Sequence, residues 1–120
     1  MTTPTLIDLM HRHYALIDGN DVAGLAACYA RDVAYHRPGY PPLTGRTELA
    51  RFYREVRVIR EGRHDLETVV ADGTGIAVHG TFTGVLRDGR PAAHRFAEFF
   101  VVDADGLIAR RDTFFFVPLV

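Results

Sequence analysis

The hydrophobic pattern of this chain changes period once, near residue 60, and that change limits what the chain can fold into. Before it, apolar side chains recur at helical spacing; after it, they alternate. Leu6, Leu9, Met10, His13 and Ile17 share one stripe, which predicts a helix from about Thr5 to Ile17. Asp18-Gly19-Asn20-Asp21 stops it, and Asn20 or Asp21 caps a short helix, Asp21–Tyr29, packed through Val22, Leu25 and Cys28. Val33–Arg37 reads as a strand. It runs into His36-Arg37-Pro38-Gly39-Tyr40-Pro41-Pro42, where no regular ladder can persist. Glu48–Val58 predicts a third helix, with Leu49, Phe52, Tyr53 and Val56 inward.

From there four strands are expected: His64–Val70, Gly75–Leu86, Ala92–Val102 and Leu107–Val117. The punctuators Ala71-Asp72-Gly73, Arg87-Asp88-Gly89-Arg90 and Asp103-Ala104-Asp105-Gly106 each signal a hairpin. Three hairpins in succession imply an antiparallel meander, and helices followed by strands give an α+β arrangement. At 120 residues, without repeat or linker, the chain is expected to form one domain, 1–120. Ala97–Val102 and Thr113–Val117 are apolar on both parities. A sheet covered on both faces fits that pattern, with helices on the concave side and a second copy on the convex side. A homodimer through the sheet is therefore expected.

Composition removes several chemistries. A net charge of −1 gives no electrostatic reason to expect nucleic acid or an anionic membrane as partner. No apolar run approaches the length of a membrane span and the first residues lack a basic, apolar leader, so a cytoplasmic protein is expected. The chain has no Ser and no Lys, which excludes a Ser nucleophile, a Schiff-base Lys and a P-loop Lys. Its one Cys, Cys28, cannot form an internal disulfide and reads as buried core. His64, His79 and His94 are spread over three strands without ligand spacing, so neither a metal nor another cofactor is expected. Chemistry must come from His, Asp, Glu, Tyr and Arg.

Polar residues at core positions are the candidates. His13 sits at the centre of the first apolar stripe, either as a hydrogen-bonded core residue or as a pocket-lining donor or base. Tyr35 and Arg37 share parity on the strand entering the proline loop. A guanidinium there suits a carboxylate, enolate or phenolate ligand; its alternative is an ion pair with Glu98 or Asp112. Glu98 lies on one face with Phe96 and Phe100, where a carboxylate must be paired or protonated. Unpaired, its pKa would rise toward that of a general base; paired, its partner would be Arg95, Arg110 or Arg111. Asp112 lies on the last strand with the same two options.

The order of helix, short helix, strand, proline loop and a helix opened by Gly45-Arg46 and closed by Phe52-Tyr53 resembles the SnoaL-like and ketosteroid-isomerase-like family. The resemblance implies the nuclear-transport-factor-2 fold, a cone of curved mixed or antiparallel sheet wrapped by helices around a pocket. In the isomerase pattern, His13 stands where the oxyanion Tyr belongs, with Tyr14 beside it, and Arg37 stands where the base Asp belongs. Glu98 falls near the second, protonated acid, and Asp112 resembles the acid/base Asp of SnoaL-like cyclases. Two of three isomerase identities are thus replaced, which argues against a steroid isomerase. The resemblance implies a cofactor-independent cyclase or isomerase that moves a proton beside the carbonyl of a small apolar molecule. Glu98 or Asp112 would be the base, and His13 and Tyr35 the donors to the oxyanion. Arg37, Tyr14, Tyr53, Phe100 and Phe114 would line the substrate site. The alternatives are an epoxide hydrolase or epoxide-opening cyclase, which needs carboxylates grouped around an Arg, and a non-catalytic ligand-binding or dimerisation module.

Overall fold

The computed structural model describes residues 2–116. Thr2 caps helix α1 (Thr3–Asp18) by accepting from the Thr5 N–H at 3.3 Å, and Pro4 occupies the first turn, where its missing N–H does no harm. Asp21 caps α2 (Val22–Ala26) by accepting from Gly24 N–H at 2.8 Å. Strand β1 (Tyr29–His36) follows, then the proline loop and a two-residue strand, β2 (Leu43–Thr44). Helix α3 (Arg46–Arg51) loosens at its end into one π-helical turn, Phe52–Val56. Four long strands complete the chain: β3 (Ile59–Asp72), β4 (Gly75–Leu86), β5 (Pro91–Val102) and β6 (Ile108–Phe115).

The strands form one open sheet in the order β2-β1-β6-β5-β4-β3. β3 to β6 are the expected antiparallel meander, while β1 returns parallel to β6, so the sheet is mixed. The hairpin glycines Gly73, Gly89 and Gly106 all hold positive φ, as tight turns require. Helices and a curved sheet enclosing a core make this the α+β cone of the nuclear-transport-factor-2 fold. Leu6, Leu9, Met10 and Ile17 of α1 pack on Ile76, Val78, Phe82, Phe96 and Phe100 of the concave face. No helix among the described residues is long and apolar enough to cross a membrane.

Several boundaries differ from expectation for local reasons. β1 starts at Tyr29, because α2 ends at once and the Cys28 carbonyl already accepts from Ile108 N–H at 2.9 Å. Its ladder with β6 shifts register between Tyr29 and Ala34, and Arg46 satisfies the freed Tyr29 carbonyl at 2.6 and 3.0 Å. β3 starts at Ile59, five residues before His64; the polar run Arg60–Arg63 hides that part of the strand from a hydrophobic pattern. Val56 faces outward because the π turn rotates the end of the third helix. The expected strand end at Val117 lies outside the described residues.

Parity on the last two strands decides the site. On β5, Phe96, Glu98, Phe100 and Val102 point inward; on β6, Arg111 and Thr113 do. Asp112 and Phe114 therefore face the convex side, where Phe99, Val101 and Phe114 are 51%, 43% and 55% exposed.

Candidate functional site

The centre of the cone holds a fully buried ion pair. Arg111 donates from Nε to Glu98 Oε2 at 2.6 Å and from Nη2 to Oε1 at 3.0 Å, the two-pronged geometry that binds a carboxylate best. β5–β6 register makes this possible by placing Glu98 opposite Thr113, with Arg111 two residues away on the same face. Thr113 Oγ1 also donates to Glu98, and Tyr14 donates to it at 2.5 Å. Burial alone would raise the Glu98 pKa. The Arg111 charge and the hydrogen bonds from Arg111, Thr113 and Tyr14 overcome that and hold it at about 2. Burial likewise opposes the Arg111 charge, and Glu98 outweighs it, so the pair is ionised on both sides.

Arg111 also fixes the tyrosines around it. Its Nη1 donates to Tyr29 at 2.9 Å and to Tyr53 at 2.7 Å, and its guanidinium lies 4.3 Å from the Tyr35 ring centroid. Tyr35 accepts from Arg37 Nη1 at 3.1 Å, and its oxygen lies 3.4 Å from Thr113 Oγ1, whose single proton goes to Glu98. Burial pushes the Tyr35 hydroxyl up to about 12. His13 Nε2 meets the Tyr29 hydroxyl at 2.5 Å while its Nδ1 has no partner. Burial, with Arg111 nearby, drives the His13 pKa well below its ordinary value, so the ring is neutral.

Beside this network a cavity opens toward solvent, with about 340 Å³ of non-protein space including its mouth. Only about 20 Å³ of that space is free, room for about one water, so a ring-sized ligand enters only if the lining side chains move. Arg37, Tyr53, Arg57, His64, His94 and Arg111 supply its polar wall; Ile59, Phe82, Phe96 and Phe115 supply its apolar one. Glu98 and Thr113 form its floor. Arg37 is aimed there because Pro38 holds the residue before it extended. Its guanidinium sits 5.0 Å from the Phe52 ring and 5.5 Å from those of Tyr40 and Phe115.

One lining residue has the setting of a general base. His64 Nδ1 lies 2.6 Å from Asp18 Oδ1, and Asp18 Oδ2 accepts the His64 backbone N–H at 2.8 Å. A carboxylate can only accept, so Nδ1 carries a proton, and in the neutral ring the lone pair is then on Nε2. Nε2 has no hydrogen-bond partner among the described residues, and the ring lines the cavity between Phe82 and Phe96. An aspartate that fixes the tautomer and orientation of a cavity-facing imidazole is a base-and-orienter pair. Tyr53 complements it. Its oxygen accepts from Arg111, so its own O–H proton is available to the cavity.

The sequence candidates divide accordingly. Arg37 and Tyr53 line the cavity. Glu98 reaches its floor, but the ion pair removes it from base chemistry near neutrality. Asp112 and Phe114 are corrected outright: strand parity turns them to the convex face, where Asp112 meets His36 at 3.1 Å and Arg110 at 3.0 Å. His13, Tyr35 and Phe100 are buried in the supporting core and line no part of the cavity. Tyr14 supports Glu98 and reaches an outer groove with Asp18 and His64. Asp18 and His64 are 46 residues apart, with no shared motif, and only the packing of α1 on β3 joins them.

The chain matches the SnoaL-like domain family over residues 10–111. Among solved structures, it is similar to a candidate ketosteroid isomerase from Kribbella flavida: 25% identity, TM-score 0.79, covering 98% of this chain and 82% of that one. A LEH-like epoxide hydrolase from M. tuberculosis shares the fold at 18% identity and TM-score 0.82, with 95% and 84% of the two chains covered. So does TerC, crystallised with polyporic acid, at 21% identity and TM-score 0.80, covering 92% and 90%. With the cone, the meander and the cavity already established, the match over most of its length makes this chain a member of the SnoaL-like family.

Proposed function

We propose that the protein is a cofactor-independent acid/base enzyme, isomerase- or cyclase-like, acting beside a carbonyl on a small, largely apolar ring. His64, facing the cavity and oriented by Asp18, carries this reading. His64 Nε2 removes a proton from the carbon next to the carbonyl. The electron pair moves onto the carbonyl oxygen, and the Tyr53 O–H, polarised by Arg111, stabilises the resulting oxyanion. The His64 imidazolium then returns the proton at another carbon, completing an isomerisation with no change in composition. In a cyclase, the same enolate attacks a second carbonyl in the substrate, and the imidazolium protonates the new alkoxide. The similarity to a candidate ketosteroid isomerase supports proton transfer as the reaction class. Epoxide opening is favoured less. Arg111 carries one carboxylate, Glu98, while Asp112 faces away, so no second carboxylate completes the group that such a reaction needs.

The test is deuterium exchange beside the carbonyl, followed by NMR in heavy water for a panel of monocyclic ketones and 1,3-dicarbonyls. Wild type should exceed buffer, and His64→Gln should lower the rate at least about a hundredfold, the usual weight of a general base. Asp18→Asn should lower it in the same direction. A His64→Gln variant with unchanged melting temperature and unchanged exchange would remove the base assignment. A wild type no faster than buffer across the panel would leave the cavity as a ligand-binding site.

A further inference from the structure

We infer that this cavity is built for an anion, and that its substrate is a small ring bearing a carboxylate, held between Arg37 and Arg57. The inference rests on the proposed acid/base function for its chemistry but on different residues for its evidence.

Charge around the cavity does not balance. Three guanidiniums, Arg37, Arg57 and Arg111, line it against one carboxylate, Glu98, which Arg111 already engages through both oxygens. Arg37 and Arg57 have no acidic partner among the described residues. Both keep a buried Nε without any hydrogen-bond acceptor. Arg57 is the sharper case. It is 6% exposed, burial and the nearby Arg37 and Arg111 charges work against its ionised form, and only Tyr53 and Tyr35 support it. A buried cation without a counter-ion is costly unless something outside the folded chain completes it.

The backbone places Arg57 there by a specific device. Arg57 N–H bonds to the Phe52 carbonyl at 2.8 Å, an i→i−5 bond that inserts one residue into the final turn. That insertion turns Val56 outward and lets Arg57 line the cavity. Arg87 Nε then pins the Arg57 carbonyl at 2.6 Å. Arg37 is held just as firmly, by Pro38 behind it and the rings of Tyr40, Phe52 and Phe115 around it. Two orphaned Nε–H donors on planar forks suit a planar, two-oxygen acceptor. The apolar wall of Phe82, Phe96 and Phe115 suits a flat ring behind it.

The test is calorimetric titration with benzoate, benzamide and inorganic phosphate, together with melting temperatures. Benzoate should bind at least tenfold more tightly than benzamide, its neutral counterpart, and should raise the melting temperature of the wild type. Arg37→Met and Arg57→Met should each weaken benzoate binding at least tenfold. Arg57→Met should leave the ligand-free melting temperature unchanged or higher, because an unpaired buried cation has been removed. His64→Gln should keep benzoate binding while losing deuterium exchange, so failure of the base assignment and failure of this one are read separately. Benzoate binding no tighter than benzamide would overturn the inference. So would wild-type affinity in both Met variants, or phosphate binding more tightly than benzoate. A ligand-free Arg57→Met melting several degrees lower would assign Arg57 to the scaffold and overturn its role as well. If that variant does not fold, Arg37→Met and the benzoate–benzamide comparison still decide the matter.

Discussion

A carboxylate set between Phe96 and Phe100 on the inward face of β5 is tolerable because Arg111 meets it from the neighbouring strand. Removing its charge alone leaves that arginine buried and unanswered. Glu98→Gln should therefore lower folding stability by about 3–5 kcal/mol in urea titration, and Glu98→Gln combined with Arg111→Met should recover much of the loss. Stability should also fall with acid, in two stages. His13 is held well below its ordinary 6.5, so the unfolded chain binds that proton first and stability begins to fall as pH drops below about 6.5. Glu98, lowered from 4.5 to about 2, stabilises the fold fully above 4.5 and loses that contribution as pH falls toward 2. Its share is on the order of 3 kcal/mol, and melting temperatures measured from pH 7 to pH 2 would expose a flat profile if the pair were absent. The sequence marked Glu98 as anomalous, since its apolar neighbours are adjacent on the strand. It offered four arginines as partners, Arg37 among them, and only the β5–β6 register selects Arg111.

At the level of elements, β3 and β4 show how local composition shapes the cavity wall. Gly62 and Gly84 flank the Phe82 ring, and a Cβ at either position would collide with it. The bare backbone lets Phe82 lie flat under the cavity, against His64 on one side and His94 on the other. Gly62→Ala, whose Cβ would meet the Phe82 ring first, should destabilise the protein by about 1–3 kcal/mol, with a circular-dichroism melt as the readout; an unchanged melt would mean that Phe82 relocates freely. The same strands show what a pattern can and cannot reveal. Alternation and turn glycines located the three hairpins, because period and turn chemistry are local properties. Leu43–Thr44 was hidden in the proline loop, since two residues carry no period and only pairing with Ala34 and Tyr35 makes them a strand. The helical reading of Glu48–Val58 failed at its end, because an i→i−5 bond leaves no mark in apolar spacing. Asp18 with His64 and Arg57 with Arg37 escaped for a related reason. Each pair forms only when distant segments pack.

Across the whole molecule, the convex face presents Phe99, Val101 and Phe114 to solvent, with Phe99 and Phe114 in edge-to-face contact. Charges of both signs border it: Glu67 and Arg95 on one side, Arg110 and Asp112 on the other. A patch with both signs at its rim can meet a copy of itself about a two-fold axis, and we propose that the protein dimerises there. Sedimentation should give twice the chain mass, and Phe99→Glu with Phe114→Glu should give the single mass with secondary structure intact. A wild type that sediments as one chain would dispose of the dimer. The parallel pairing of β1 with β6 has a different consequence, one of timing. Register partners such as Tyr29 and Ile108 are separated by nearly the whole meander, so closing that ladder requires a long loop to be ordered first. Arg111 rides on the same late strand. As the chain leaves the ribosome, its central carboxylate meets its counter-charge only when the last strand emerges. Until then Glu98 lacks its partner, and the protein has little reason to be half folded.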